Sequence, residues 1–268
     1  MNNRYQQVSL NGELSQRELL TCGVPKGLIL GLTLFLLFIN DLPLSWESEN
    51  GLFADDATLY ACGPSLPNIQ VKLQQDLSKM EDWTRDHGIV AHQDKTKYMI
   101  IGTRQKLSRC EDCSLTSLLN NKNLPNSENE NLLGTHIDSN MTWSKQVEKI
   151  RKKLLKRIAA FKRIKDYLHF KYRILLLNAS IKPLLEYRVT VWGNCNTSQL
   201  DILFKLQTRY ARMILNKDFK TRSLELFKKL GWNPIDKICI ANRLNLFKKI
   251  TENKAPEYLI NKLAKFKS

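Results

Sequence analysis

The 268-residue chain divides its charge unevenly between an acidic first part and a basic second part. Residues 1–130 hold 12 Lys and Arg against 16 Asp and Glu, whereas residues 131–268 hold 30 against 10. Such a basic half favours a polyanionic partner, most often nucleic acid, with an acidic membrane surface as the alternative. The first half combines strand-like segments with helical apolar spacing and the second half is mainly helical, so we expect an α+β chain in two parts.

The clearest helical pattern lies in residues 143–164. Its apolar face comprises Val147, Ile150, Leu154, Ile158, Phe161 and Ile164. Nine cations and one anion cover the rest of residues 145–163. An ordinary solvated helix face is one explanation, but the density of cations favours contacts to nucleic-acid phosphates. The residues expected to make those contacts are Lys149, Lys152, Lys153, Lys156 and Arg157.

Further elements follow from local spacing and turn residues. We expect a strand over residues 5–10 that ends in an Asn11-Gly12 hairpin turn, and a second strand over residues 97–102. Helical spacing predicts helices over residues 68–87, 200–214 and 238–250. The apolar run at residues 28–39 is too short to cross a bilayer, so it predicts a buried helix.

The segment GLFADDATLY, residues 51–60, places two carboxylates side by side between short β-prone stretches. In one interpretation Asp55 and Asp56 form a solvated hairpin turn. In the other they form a metal site, because adjacent carboxylates converge on one cation at a tight turn and the ion relieves their repulsion. The pair alone does not decide between the two.

Six scattered cysteines and the absence of a cleavable signal predict a reducing, intracellular location with no membrane partner. Cys110 and Cys113 form one CxxC motif, but a four-ligand zinc site needs a second pair and none follows. The sequence therefore assigns this pair no role.

Three segments, in one order, resemble the reverse transcriptase of non-LTR (LINE-type, jockey-like) retrotransposons. CGVPKGLILGLTLFLLFINDLP resembles a palm segment that opens with a Gly-Val-Pro loop, LFADDATLY resembles the catalytic hairpin, and LGTHIDSNMTWSKQVEKI resembles the region downstream of the palm. The resemblance implies a partial palm of antiparallel strands with helices over residues 1–105. It then implies a polar linker or insertion over 106–130 and a mostly α-helical basic thumb and post-polymerase region over 131–268.

The activity implied by the resemblance is RNA-directed DNA polymerisation by a two-metal mechanism. Asp55 and Asp56 would be the catalytic and metal-binding residues, with Mg²⁺ as the ion and Mn²⁺ as its substitute. The partners would be an RNA template, a DNA primer and nucleoside triphosphates. The residues near the nucleotide and template would be Gly23, Pro25, Lys26, Gly27 and Lys95. The sequence does not indicate an oligomeric state.

The chain also departs from this family pattern. The third metal carboxylate should lie in a Phe-Asp strand before the Gly-Val-Pro loop, but only Glu13 and Glu18 precede it here, among polar residues. Lys26 stands where the family usually has Gln. We therefore expect an N-terminally truncated piece with little or no polymerase activity in isolation. A non-catalytic basic nucleic-acid-binding remnant, or a chain with no selected role, is the alternative.

Overall fold

Four short strands begin the described part of the chain, which in this computed structural model comprises residues 4–20, 23, 29–108 and 115–265. They are β1 (Arg4–Gln6), β2 (Ser9–Leu10), β3 (Glu13–Leu14) and β4 (Glu18–Leu20). β1 pairs antiparallel with β4, and β2 with β3. Asn11 and Gly12, with φ of 52° and 89°, form the turn between β2 and β3, so the predicted hairpin turn is confirmed. The predicted strand 5–10 is divided in two at residues 7 and 8.

The apolar run forms helix α1 (Gly31–Ile39), but most of its side chains face solvent. Leu32 is 62% exposed and Leu37 is 70% exposed. The prediction of a helix is correct and the prediction of its burial is wrong, because the described core covers only the side of α1 that includes Ile39. There Ile39 clusters with Leu42 and Trp46. No helix among the described residues is long and apolar enough to cross a membrane.

A two-stranded hairpin and a long helix complete the first core. They are β5 (Glu49–Phe53), β6 (Asp56–Tyr60) and α2 (Leu66–Asp86). The hairpin is antiparallel, with Phe53 opposite Asp56 and Glu49 opposite Tyr60. Leu52 and Leu59 of the hairpin, together with Met80 of α2, pack against the Ile39 cluster. The helix predicted over residues 68–87 is confirmed.

A short hairpin of β7 (Leu118–Leu119) and β8 (Lys122–Asn123) packs on α2. Gln74 of α2 binds the backbone of Leu118 as a strand would: its Nε2 donates to the Leu118 oxygen over 3.0 Å, and its Oε1 accepts from the Leu118 N–H over 2.8 Å. Leu119 is fully buried beside Leu77. These contacts attach the hairpin to α2 although it is only two residues long on each side.

The chain folds into two compact units, one of Met1–Tyr98 with Asp112–Asn126 and the other of Met99–Glu111 with Ser127–Ser268. The boundaries predicted at residues 105 and 130 stay a prediction. The strand predicted over residues 97–102 is wrong. Tyr98 N–H donates to Pro125 in the first unit, whereas Gly102 N–H donates to Ser139 in the second, so no single partner strand runs alongside this segment among the described residues.

The second unit is mainly helical. Its elements are α3 (Arg104–Ser108), β9 (Asn129–Leu132), β10 (Thr135–Asp138), α4 (Ser144–Ile164), α5 (Phe170–Leu176), a π-helical turn (Leu177–Ile181), α6 (Lys182–Glu186), α7 (Val189–Trp192), α8 (Thr197–Leu215), α9 (Ser223–Leu230), α10 (Ile235–Thr251) and α11 (Glu257–Lys265). β9 and β10 form an antiparallel hairpin, and α4 packs on β10 and α8. The α+β prediction is confirmed.

The predicted apolar face of α4 forms one wall of the core of the second unit. Val147, Ile150, Leu154, Ile158 and Phe161 are all buried, whereas Ile164 at the end of the helix is 44% exposed. Because the apolar residues fall on one side of a 21-residue helix, burying them leaves the cations on the other side in solvent. The packing of α4 thereby produces a basic surface.

Candidate functional sites

The two adjacent acids lie at the tip of the β5–β6 hairpin. Ala54 and Asp55 form its two-residue turn, and Asp56 is the first residue of β6. Ala54 has a left-handed φ of 52°, which lets the chain reverse within two residues. Both carboxylates are exposed, and Phe53 before them is 63% exposed. The structure therefore places Asp55 and Asp56 at one solvent-facing tip.

The Asp55–Asp56 pair fits a site for one loosely held metal ion but not a two-ion centre. Carboxylate oxygens are the ligands that Mg²⁺ prefers, and Mg²⁺ usually keeps several water molecules, so two carboxylates suit a loosely held ion. Among the described residues, however, no group of three His, Cys, Asp or Glu side chains could hold a metal ion. The described residues thus do not form a two-ion centre.

A buried carboxylate that was not predicted from the sequence holds the chain just before the hairpin. Asp76 of α2 is fully buried and accepts hydrogen bonds from the backbone N–H groups of Glu47 at 2.8 Å and Ser48 at 2.9 Å. Burial by itself raises the pKa of this carboxyl, but hydrogen bonding from Ser48 and from the Glu47 backbone outweighs it and lowers the pKa. The sequence does contain an indication of this buried carboxylate, because Asp76 lies on the apolar face of α2 between Leu73 and Leu77.

The residues predicted to contact nucleotide and template are only partly described. Gly23 has a φ of 77°, which favours glycine, but Pro25, Lys26 and Gly27 lie outside the described residues. Lys95 is exposed at the end of a 3₁₀ turn, Gln93–Lys95. The structure therefore leaves the predicted role of this set as a prediction.

The cations of α4 line a groove together with β10. Its volume is about 540 Å³, and it is lined by His136, Lys145, Glu148, Lys149, Lys152, Lys153 and Lys156. Four of the five predicted phosphate-binding residues are therefore brought together, and the fifth, Arg157, is not among the lining residues. Their positions along α4 are separated by three and four residues, so they share one helix face.

Positive charge in the groove is poorly balanced. Glu148 is the single acid among the described lining residues, and Arg151 already binds both its oxygens at 2.9 and 3.0 Å. Lys149 Nζ donates to the Gly134 carbonyl over 3.1 Å. Burial and then the charge of Lys153 lower the pKa of Lys149. The groove is thus a site where added negative charge is favourable.

His136 of β10 is the groove residue for which the sequence carried no signal. Its backbone N–H donates to Gln146 Oε1 of α4 over 3.0 Å, which holds β10 against the start of the helix. Burial lowers the pKa of His136, and the charges of Lys149 and Lys145 lower it further. The imidazole is therefore held in its neutral form at neutral pH.

A second carboxylate orients α4. The Asp138 carboxylate accepts hydrogen bonds from the N–H groups of Thr142 at 2.8 Å and Trp143 at 2.7 Å. Trp143, with a left-handed φ of 64°, is the residue before the first turn of α4. Asp138 thus satisfies backbone donors where β10 leads into the helix and sets the direction of the lysine-bearing face.

Described cysteines carry no metal site. Cys62, Cys195 and Cys239 are free thiols, and the latter two are buried. Burial raises the pKa of Cys239 to about 11, and the nearby Cys195 adds to this. Cys110 and Cys113 lie outside the described residues.

Comparison with known proteins matches residues 1–148 to the family described as "Reverse transcriptase (RNA-dependent DNA polymerase)". The chain is 23% identical over 231 residues to the RNA-directed DNA polymerase from mobile element jockey of Drosophila melanogaster, covering 81% of this chain and 25% of that protein. It is 21% identical over 231 residues to the probable RNA-directed DNA polymerase from transposon X-element of Drosophila melanogaster, covering 83% of this chain and 25% of that protein.

The jockey polymerase of Drosophila funebris is 21% identical over 232 residues, covering 81% of this chain and 25% of that protein. The chain thus spans about a quarter of the length of these curated relatives. No solved structure matches it significantly.

Proposed function

The chain belongs to the reverse transcriptase (RNA-dependent DNA polymerase) family, and on this premise we propose that it forms part of an RNA-directed DNA polymerase of a LINE-type mobile element. Its two units would supply different parts of that enzyme: a metal-binding hairpin tip and a phosphate-binding groove. The groove is the observation that carries the proposal, because five lysines there face one acid that is already paired. We expect the protein to act in the nucleus or cytoplasm.

The groove is proposed to hold the duplex of RNA template and DNA primer. Lys145 and Lys156 lie 11 positions apart on α4, or about 16 Å at 1.5 Å per residue, so the lysines can lie along several consecutive phosphates. Lysine ammonium groups bind phosphate oxygens as point charges and do not read bases. We therefore expect affinity that falls steeply with salt and depends little on sequence.

The hairpin acids are proposed to bind a divalent ion, Mg²⁺ or Mn²⁺. When bound, such an ion neutralises charge on nucleotide phosphates. Both acids lie at the tip of the hairpin, and their exposure leaves room for a phosphate ligand. Because two carboxylates cannot position two ions, we expect the isolated chain to synthesise little DNA. The proposed nucleotide and template contacts are Gly23, Pro25, Lys26, Gly27 and Lys95.

The groove is tested by fluorescence anisotropy with a labelled RNA–DNA hybrid at several salt concentrations. The test variant replaces Lys149, Lys152, Lys153 and Lys156 by Gln, and its matched control replaces four exposed lysines elsewhere, Lys237, Lys248, Lys249 and Lys254. Each lost phosphate contact makes the negative slope of log K against log salt less steep by about 0.9. The slope of the groove variant should therefore be smaller in magnitude than that of the wild type by about 3–4. An equal loss in the control variant would show non-specific charge binding and contradict the proposal.

The hairpin is tested by electron paramagnetic resonance with Mn²⁺. The chain should bind Mn²⁺ weakly, and Asp55→Asn with Asp56→Asn should abolish that binding. The control pair is Asp82→Asn with Asp86→Asn on α2. If the hairpin variant binds Mn²⁺ as the wild type does, the hairpin proposal fails, and a non-catalytic nucleic-acid-binding function, carried by the groove alone, takes its place.

Primer extension on an RNA template tests the expected lack of synthesis. With either Mg²⁺ or Mn²⁺ the isolated chain should extend a DNA primer no further than Asp55→Asn with Asp56→Asn does. Robust extension by the wild type, lost in this variant, would mean that the chain holds a complete catalytic centre.

A further inference from the structure

A second cationic cavity lies at the C-terminal end of α8 and shares no described lining residue with the α4 groove. Its volume is about 440 Å³. Its lining includes Lys165, Arg209, Arg212, Lys217, Asp218 and Phe219. α8 ends at Leu215, and Asn216 reverses the chain with a left-handed φ of 49°. The cavity is therefore formed where the chain leaves the helix.

Two of these cations, Arg209 and Lys217, are not needed to satisfy the free carbonyl groups at the C-terminal end of α8. Cations near a helix C-terminus usually compensate its free carbonyl groups. Here Arg173 Nη1 donates to the Ile214 carbonyl over 3.4 Å, and the Lys217 backbone N–H donates to the Arg212 carbonyl over 3.0 Å. Within the described part of the chain, the side chains of Arg209 and Lys217 make no hydrogen bond or ion pair. Both remain available to an external anion.

A third cation, Arg212, is held in place inside the cavity. Its Nη2 donates to the Thr221 carbonyl over 3.2 Å, while its Nε is buried without a hydrogen-bond partner among the described residues. Lys165 already has an ion-pair partner, because its Nζ lies 3.1 Å from Oδ1 of Asp166. Asp218 is the single acid among the described lining residues, so the net charge of the cavity is strongly positive.

Phe219 provides the second, independent feature. Its ring is 77% exposed although it lies among these cations, and Lys220 Nζ is 6.0 Å from the ring centroid. A large aromatic side chain usually stabilises a fold by burial. An exposed ring beside a cluster of cations is instead the combination found where single-stranded nucleic acid stacks its bases and pairs its phosphates.

We propose that this cavity binds single-stranded nucleic acid, with one base stacked on Phe219 and its phosphates on Arg209, Arg212 and Lys217. The inference rests on the proposed function, since both require a nucleic-acid partner. It adds a second site that prefers single-stranded to duplex nucleic acid. The described lining of the α4 groove contains no Phe, Tyr or Trp, so that groove has no comparable platform for an unpaired base. Duplex should bind the groove, and an unpaired segment should bind the cavity.

The test compares an unstructured 12-nucleotide single strand with a blunt RNA–DNA hybrid by fluorescence anisotropy, using the full chain. Phe219→Ala should weaken single-strand binding about 5- to 150-fold, as the loss of one stacked base does. It should leave the hybrid affinity within about twofold, because the substitution removes no charge. Phe219→Trp should restore single-strand binding. Arg209→Gln should lower the single-strand salt slope by about 0.7.

Phe247→Ala is the matched control, because that ring is 51% exposed on α10 and lies outside the cavity. It should change neither affinity. Equal weakening by Phe219→Ala and Phe247→Ala, or no weakening by either, would overturn the inference. The proposed function would fail differently, through hybrid binding that does not depend on the α4 lysines. Circular dichroism checks that each variant is folded, and because Phe219 is exposed its replacement removes no side chain from the core.

Discussion

Replacing Asp76 should release the segment that leads into the acidic hairpin. Asp76→Ala removes the acceptor for the N–H groups of Glu47 and Ser48 and leaves both without that partner. Hydrogen bonds to a charged group contribute about 1.5–3 kcal/mol each, so the loss of two is expected to cost about 3–6 kcal/mol. In Asp76→Asn the carboxamide oxygen still accepts one bond, so about 1.5–3 kcal/mol should be lost.

Hydrogen–deuterium exchange measures this loss locally. For Asp76→Asn the amides of Glu47, Ser48 and the β5–β6 hairpin should exchange about 10- to 150-fold faster, since about 1.4 kcal/mol corresponds to a factor of ten. Asp82→Asn, on an exposed position of the same helix, is the control and should leave exchange unchanged. Equal exchange in both variants would refute the role assigned to Asp76.

Acid provides a second measurement on the same carboxylate. Because the folded state lowers the pKa of Asp76 below its ordinary 3.8, the stabilisation is fully present above that value and is lost as pH falls through the folded pKa. The stability difference between the wild type and Asp76→Asn, measured by urea unfolding, should therefore be constant from about pH 7 to 5 and shrink below about pH 4. A difference that grows on acidification would contradict this sign.

Three further predictions concern the second unit. A methyl group in Gly193→Ala would lie 2.4 Å from a backbone oxygen of α7, so the variant should lose about 2–4 kcal/mol, seen as a lower Tm by circular dichroism. Asp138→Ala removes the acceptor of two N–H groups before α4 and should cost about 1–2 kcal/mol with weaker hybrid binding, whereas a variant of unchanged Tm would refute this. Phosphates bound in the groove should raise the lowered pKa of His136, so hybrid affinity should increase as pH falls from about 7 to 5.5, by at most about tenfold per unit, and His136→Gln should remove the increase.

Local patterns were sufficient for the elements whose partners lie close in sequence. The apolar spacing from Val147 to Phe161 predicted α4 and its buried face, because a 3.6-residue period requires only that some core cover one side. Asn11-Gly12 marked a hairpin turn, because backbone preferences act within a few residues. Asp55-Asp56 marked the second hairpin one residue too late, since Ala54 and Asp55 form its turn and Asp56 begins β6. The order of three motifs was sufficient to indicate the family, which the match over residues 1–148 establishes.

Contacts between distant segments were decided only by the tertiary structure. The run at residues 28–39 predicted burial, but its exposure depends on what packs on α1, which no local pattern states. Asp76 became a partner of Glu47, 29 residues away, only when α2 packed beside the hairpin. The β9–β10 hairpin places His136 in the groove lined by the lysines of α4. Phe219 and Arg209 line the same cavity at the end of α8. The sequence by itself determined five of the helices, α1, α2, α4, α8 and α10, the Asn11-Gly12 turn and the sign of the charge. Only the tertiary structure decided which charged residues line one cavity. The reason is that those residues lie on segments distant in sequence, and the local pattern of one segment does not state where the other packs.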